Sequence, residues 1–323
     1  MRLSSVSTNF NPFKIISKDR KNNIMQPLRA DTFARSNEIS FCGLSSNERA
    51  KIKSFKNDLY QMLFMKRDSD FKNVQELVDK YINGVDVKSI KKMPFKVRDI
   101  AAFYMEKADP DFENNNMQIT ERTIFLDKPN LRNNIKLDEY FVSAVHEFTH
   151  AVQRQSETMS CPKMVESYYD KHPDLIDEKL TVARECEAVA GFLKDMALAP
   201  INKAMLRPDI FSMTLRDEVS PIAGVKMLKN AFGIDNYGNY IKRAIDNSLQ
   251  KLLQDDFITD KKFLLEYAAK YIECENEAYM QEALAYEKAL DKQHAKRSRK
   301  VSYIRANLLD EASKIIRHEI RKL

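Results

Sequence analysis

Cysteine is scarce and scattered in this chain of 323 residues: Cys42, Cys161, Cys186 and Cys274 are its only four, and no CxxC occurs. That excludes a disulfide framework and suits reduced thiols in a cytoplasmic protein. No apolar run approaches the length of a membrane span, and the N-terminus lacks the apolar stretch of a signal peptide. There is no internal repeat and no RNA- or DNA-binding motif, so specific nucleic-acid binding is not expected. Histidine is also scarce, with five in the chain.

What is present is charge and helical periodicity. Of the residues, 31% are charged, and the net charge of +6 is unevenly placed. Residues 292–323 hold ten Lys and Arg against three acids, and residues 1–35 hold seven against two, so the middle is acidic on balance. The basic ends read as solvated faces rather than as a nucleic-acid surface. Residues 1–45, rich in Ser, Asn and Arg, read as a disordered or extended tail. Ordered structure is expected from Ser45, where Ser45 and Glu48 have capping-box spacing ahead of Ile52, Phe55, Leu59 and Leu63. A second helix is expected through Val74 and Tyr81, stopped by Gly84, and a third over Lys96–Lys107. The run Met117–Asp127 alternates like a strand. After Pro200 the pattern is helical, with Lys261–His294 free of Gly and Pro and a last helix over Tyr303–Lys322.

Two of the five histidines lie in "FVSAVHEFTHAVQRQ", Phe141 to Gln155. Phe141, Val145, Phe148 and Val152 mark the buried stripe of a helix. His146 and His150 are four apart and share a neighbouring face. Two imidazoles so placed can bind one tetrahedral metal, and Glu147 can then accept a proton from a water on that metal. A third protein ligand is needed. The continuation HExxHxxGxxH is ruled out, because Gln153 and Ser156 stand where its glycine and histidine would be, and no Gly-Thr pair announces an aspartate. A glutamate from a later helix remains. "DEKLTVARECEAVAGFLKDMAL", Asp177 to Leu198, offers Glu185 and Glu187, which point to different faces. The small neighbours Ala183, Ala190 and Gly191 favour Glu187, and Glu277 in "ECENEAYMQEA" is the rival outside that helix.

"HEFTHAVQ" followed by "RECEAVA" resembles the gluzincin-type zinc metallopeptidases, in particular bacterial ones with an HExxHAxQ helix and a later Glu-Ala-x-Ala helix. The resemblance covers about Ile119 to Leu198. It implies one Zn²⁺ per chain bound by His146, His150 and Glu187, Glu147 as general base and acid, and a protein or peptide substrate. It also implies that a strand before the metal helix pairs with an extended substrate. The expected fold is mainly α with a small β-sheet (α+β). It divides into a tail over 1–45, a zincin-like catalytic core over 46–205 and a helical C-terminal lobe over 206–323. His172, Tyr168, Tyr169 and Arg184 are candidates for stabilising the oxyanion of such a reaction. The competing reading is a metal-stabilised or metal-free helical interaction protein without catalysis.

Overall fold

The computed structural model describes residues 45–65, 86–89, 102–105, 123–126, 133–154, 161–253 and 258–323. The expectations for the N-terminal tail before Ser45 and for the helix through Val74 and Tyr81 fall outside them.

The first described helix, α1 (Ser46–Met65), begins on the expected capping box. The Ser45 amide donates to Glu48 Oε2 (2.7 Å) and the Glu48 amide donates to Ser45 Oγ (3.3 Å), so two otherwise orphaned donors are satisfied reciprocally. Three strands follow: β1 (Asp86–Ser89), β2 (Ala102–Met105) and β3 (Thr123–Leu126). β3 is central, parallel to β1 and antiparallel to β2. β2 lies where a helix was expected, since the short apolar run "AFYM" has no periodicity that separates the two states.

These three strands have four residues each and do not make a layer. Every other described element is a helix, so the fold is helical, and the expected α+β zincin-like core is corrected accordingly. The helices are α2 (Asn134–Arg154), α3 (Cys161–Lys171), α4 (Lys179–Met205), α5 (Pro208–Thr214), α6 (Pro221–Ala231), α7 (Tyr237–Leu253), α8 (Lys261–Ala285) and α9 (Lys292–Ile320). Among the described residues no helix is long and apolar enough to cross a membrane.

The chain forms two compact units. One contains Cys161–Asn276 and Lys300–Leu323; the other contains the described residues before Ser160 together with Glu277–Arg299. Both later boundaries fall inside unbroken helices, α8 and α9.

In the second of these units the core is built around α2, which packs on α1, β2 and β3. The predicted stripe is buried throughout: Phe141, Val145, Phe148 and Val152 join Ile52, Phe55, Leu59 and Ile124. Phe148 stacks on Phe55 with ring centroids 4.1 Å apart. Side chains of this size contribute about 1.5–3 kcal/mol each when fully buried, which fixes the rotation of α2 and therefore the direction of its histidines.

The run Lys261–His294 is not one helix. It stops at Ala285, makes a 3₁₀ turn over Tyr286–Lys288 and restarts at Lys292, without glycine or proline. The cause is tertiary. Asp138 on α2 accepts from the amides of Leu290 (2.7 Å) and Asp291 (2.9 Å), and Asp291 then caps α9 through the amide of His294 (2.8 Å).

In the first unit, α4 runs through Pro200 to Met205 and packs on α5, α6 and α7. The buried hydroxyl of Tyr237 lies 2.9 Å from the Ala197 carbonyl and 3.2 Å from that of Leu308. Arg317 grips Glu273 with two nitrogens (2.9 and 3.0 Å), joining α9 to α8. Cys161, Cys186 and Cys274 are buried free thiols, and burial pushes Cys186 and Cys274 well above the usual thiol range.

Candidate metal centre

His146 and His150 lie on the side of α2 next to its apolar stripe and are 8% and 1% exposed. Their rings meet edge to face, with the two Nε2 atoms 3.0 Å apart. The opposite nitrogens are held from behind. Nδ1 of His150 faces Oε1 of Gln153 at 3.1 Å, one turn along the same helix. Nδ1 of His146 faces Oε1 of Glu282 at 2.9 Å, and the Tyr279 ring sits edge-on to the same imidazole at 5.2 Å.

An oxygen at Nδ1 of His150 favours the tautomer that leaves its Nε2 free to bind a cation, and the Glu282 carboxylate lies on the corresponding side of the His146 ring. The two Nε2 atoms approach one another. The third member is Glu275 on α8, with its side chain fully buried. Ligand atoms of His146, His150 and Glu275 all lie within 4.8 Å of one another, and this buried group could hold a metal ion. Helical spacing explains the set: Glu275, Tyr279 and Glu282 follow at i, i+4 and i+7, one face of α8.

No family model, curated protein or solved structure matches this chain. The site therefore rests on its own residues.

Of the residues expected from sequence, His146 and His150 are brought together, and Glu147 between them is buried at 5% exposure. Glu187 is half-buried on α4 and is not a member of the group. The close approach inferred from its small neighbours is absent at Gly191, where an added Cβ would meet nothing within 4 Å. Glu185 has a different task. Its carboxylate accepts from the amides of Ile258 (3.1 Å) and Thr259 (3.0 Å) and from the Thr259 hydroxyl (2.5 Å), pinning the segment before α8.

The carboxylate of the group comes from the rival segment Glu273–Ala283, as Glu275 rather than Glu277. Glu277 turns to Arg49 at 3.2 Å, and Glu273 turns to Arg317. Tyr168 stacks on Phe263 at 4.3 Å and lies tilted against His172 at 4.4 Å, and its hydroxyl accepts from the Asp260 amide. Burial raises the Tyr168 hydroxyl. These aromatic residues pack together, and none of them belongs to the His–His–Glu group.

Proposed function

We propose that His146, His150 and Glu275 bind zinc and that the protein is a zinc-dependent hydrolase of peptide bonds with Glu147 as general base. The observation that carries this reading is the 3.0 Å approach of two Nε2 atoms whose opposite ring nitrogens both face oxygen acceptors. A cation at that point could be met by both ring nitrogens at once. Two imidazoles and one carboxylate suit zinc and leave a fourth position open, as in catalytic rather than closed structural sites.

Zinc held there would polarise a carbonyl as a Lewis acid and lower the pKa of water. The chain supplies the proton handling. Glu147 follows His146 directly, and its burial favours its taking a proton from water and returning it to a departing amine. Gln153 would favour the tautomer of His150 that offers Nε2, and the Glu282 carboxylate beside His146 would strengthen that ring as a ligand. Peptide as the substrate class rests on the resemblance of "HEFTHAVQ" to metallopeptidase helices. A purely structural site has no need of the buried acid between its two histidines.

The test is paired. Purified wild-type protein should contain one zinc per chain and cleave an unstructured protein such as casein. Glu147→Gln should keep the zinc and lose about 10²–10⁴-fold in rate. Zinc without hydrolysis in the wild type would assign the centre a structural role, and absence of any stoichiometric metal would remove the reading.

A further inference from the structure

Three of the four cysteines lie in the first unit, and the chemistry proposed above uses none of them. Cys161 opens α3, Cys186 lies on α4 and Cys274 lies on α8. All three are free thiols, and each is fully buried.

Their side chains converge. The Cys161 and Cys274 thiols are hydrogen-bonded to one another. Cys161 also lies close enough to act on Lys270, one turn before Cys274 on α8, and on Cys186 of α4. A single buried thiol behaves as a small apolar residue and needs no further account. Two in contact have only to lose two hydrogens to become a disulfide. Their place in the chain adds a second reason. The long segment of the first unit runs from Cys161 to Asn276, and Cys274 stands two residues before its end. A bond between the two sulfurs would join the ends of that segment.

We propose that Cys161 and Cys274 are a reversible redox pair, a dithiol that a hydroperoxide closes to a disulfide tying the start of α3 to α8. The pair lies within one unit and does not depend on the metal reading. One thiol takes an oxygen atom from the peroxide, whose O–O bond breaks with release of water, and becomes a sulfenic acid. The other sulfur attacks it, the S–S bond forms, and the S–O bond breaks with release of a second water. In all, two thiols lose two electrons and two protons, and one hydrogen peroxide is reduced to two waters. A dithiol reductant reverses the change by exchange. The oxidant has to be small, because neither sulfur is exposed. The loop so closed spans roughly a hundred residues, a length at which a cross-link strongly restrains the unfolded chain.

The experiment treats the folded full chain with hydrogen peroxide, unfolds it at once in excess alkylating reagent and maps its peptides by mass spectrometry. One intramolecular link between Cys161 and Cys274 is expected, lighter by two hydrogens than the two free peptides and reversed by dithiothreitol. The linked protein should melt at least about 5 °C above the reduced form. Cys161→Ala should form no such link and gain nothing in melting temperature from peroxide. Free alkylation of both thiols after peroxide overturns the proposal, as does oxidation to sulfinic acid without a link, or a link to Cys186 instead. A linked form that melts no higher overturns it too, because the bond would then not fit the native packing. An equal rise in melting temperature for Cys161→Ala has the same force. The wild-type map and melting curves decide the matter even if that variant fails to fold.

Discussion

The carboxylate of Glu282 lies 2.9 Å from Nδ1 of His146, on the side of the ring away from His150. A carboxylate in that place raises the basicity of the far nitrogen, and such partners are worth about 10–100-fold in metal affinity. Glu282→Ala should therefore weaken zinc binding by that factor with His146, His150 and Glu275 all in place. Glu282→Gln still presents an oxygen acceptor and should lose less. Nitrogen NMR of the metal-free protein provides an independent check: the His146 proton should leave Nδ1 for a mixture of tautomers in the Ala variant.

The identity of the third ligand is open to direct comparison. Glu275→Ala should abolish stoichiometric zinc as completely as His146→Ala or His150→Ala. Glu187→Ala should retain it. Metal analysis of the four purified variants decides the matter, and zinc retained by Glu275→Ala but lost by Glu187→Ala would return the ligand to α4.

Asp138 is 1% exposed and accepts from the Leu290 and Asp291 amides at the bend between α8 and α9. Hydrogen bonds to a charged acceptor contribute about 1.5–3 kcal/mol each, and leaving buried amides without acceptors adds a penalty. Asp138→Ala should lower the unfolding free energy by about 2–4 kcal/mol. Urea denaturation measures this, with a lowered midpoint and an unchanged slope as the expected form. Asp138→Asn, which keeps one oxygen acceptor, should lose less.

Burial lowers Lys56 to about 8, against the attraction of Glu287, and its Nζ donates to the Leu284 carbonyl. The folded protein thus binds fewer protons than the unfolded chain between about pH 8 and the usual lysine value of 10.5. By linkage, stability contributed at this position rises with pH across that window and is lowest below pH 8, where the ammonium is fully charged in both states. Lys56→Met should flatten this part of the pH profile. Melting temperatures of both proteins from pH 7 to 10.5 provide the check, and parallel profiles would show that Lys56 does not titrate in this way.

Features set by neighbours three or four residues apart were legible in the sequence. The Ser45–Glu48 box, the buried stripe from Phe141 to Val152 and the imidazole pair all depend on helical spacing alone. The third carboxylate was not. Glu273, Glu275, Glu277 and Glu282 all lie on α8 within ten positions, and which one meets the imidazoles depends on how that helix is rotated. Partners far away in sequence, Arg317 for Glu273 and Arg49 for Glu277, take up the alternatives. The strand at Ala102–Met105 was hidden for another reason: four apolar residues are too few to carry a period.

The bend at Tyr286–Asp291 has a consequence for the order of folding. No residue within it disfavours the helical state as glycine or proline would, so local preference there favours one continuous rod. A peptide covering Lys261–Ile320 should therefore be helical straight through these positions when isolated in a helix-promoting solvent. The turn comes into being only when Asp138 arrives with α2 to capture the amides of Leu290 and Asp291. Docking of the histidine-bearing helix and breaking of the rod are then one event, and the bend belongs to the late side of the folding barrier. Asp138→Ala should accordingly accelerate unfolding while leaving the refolding rate nearly unchanged.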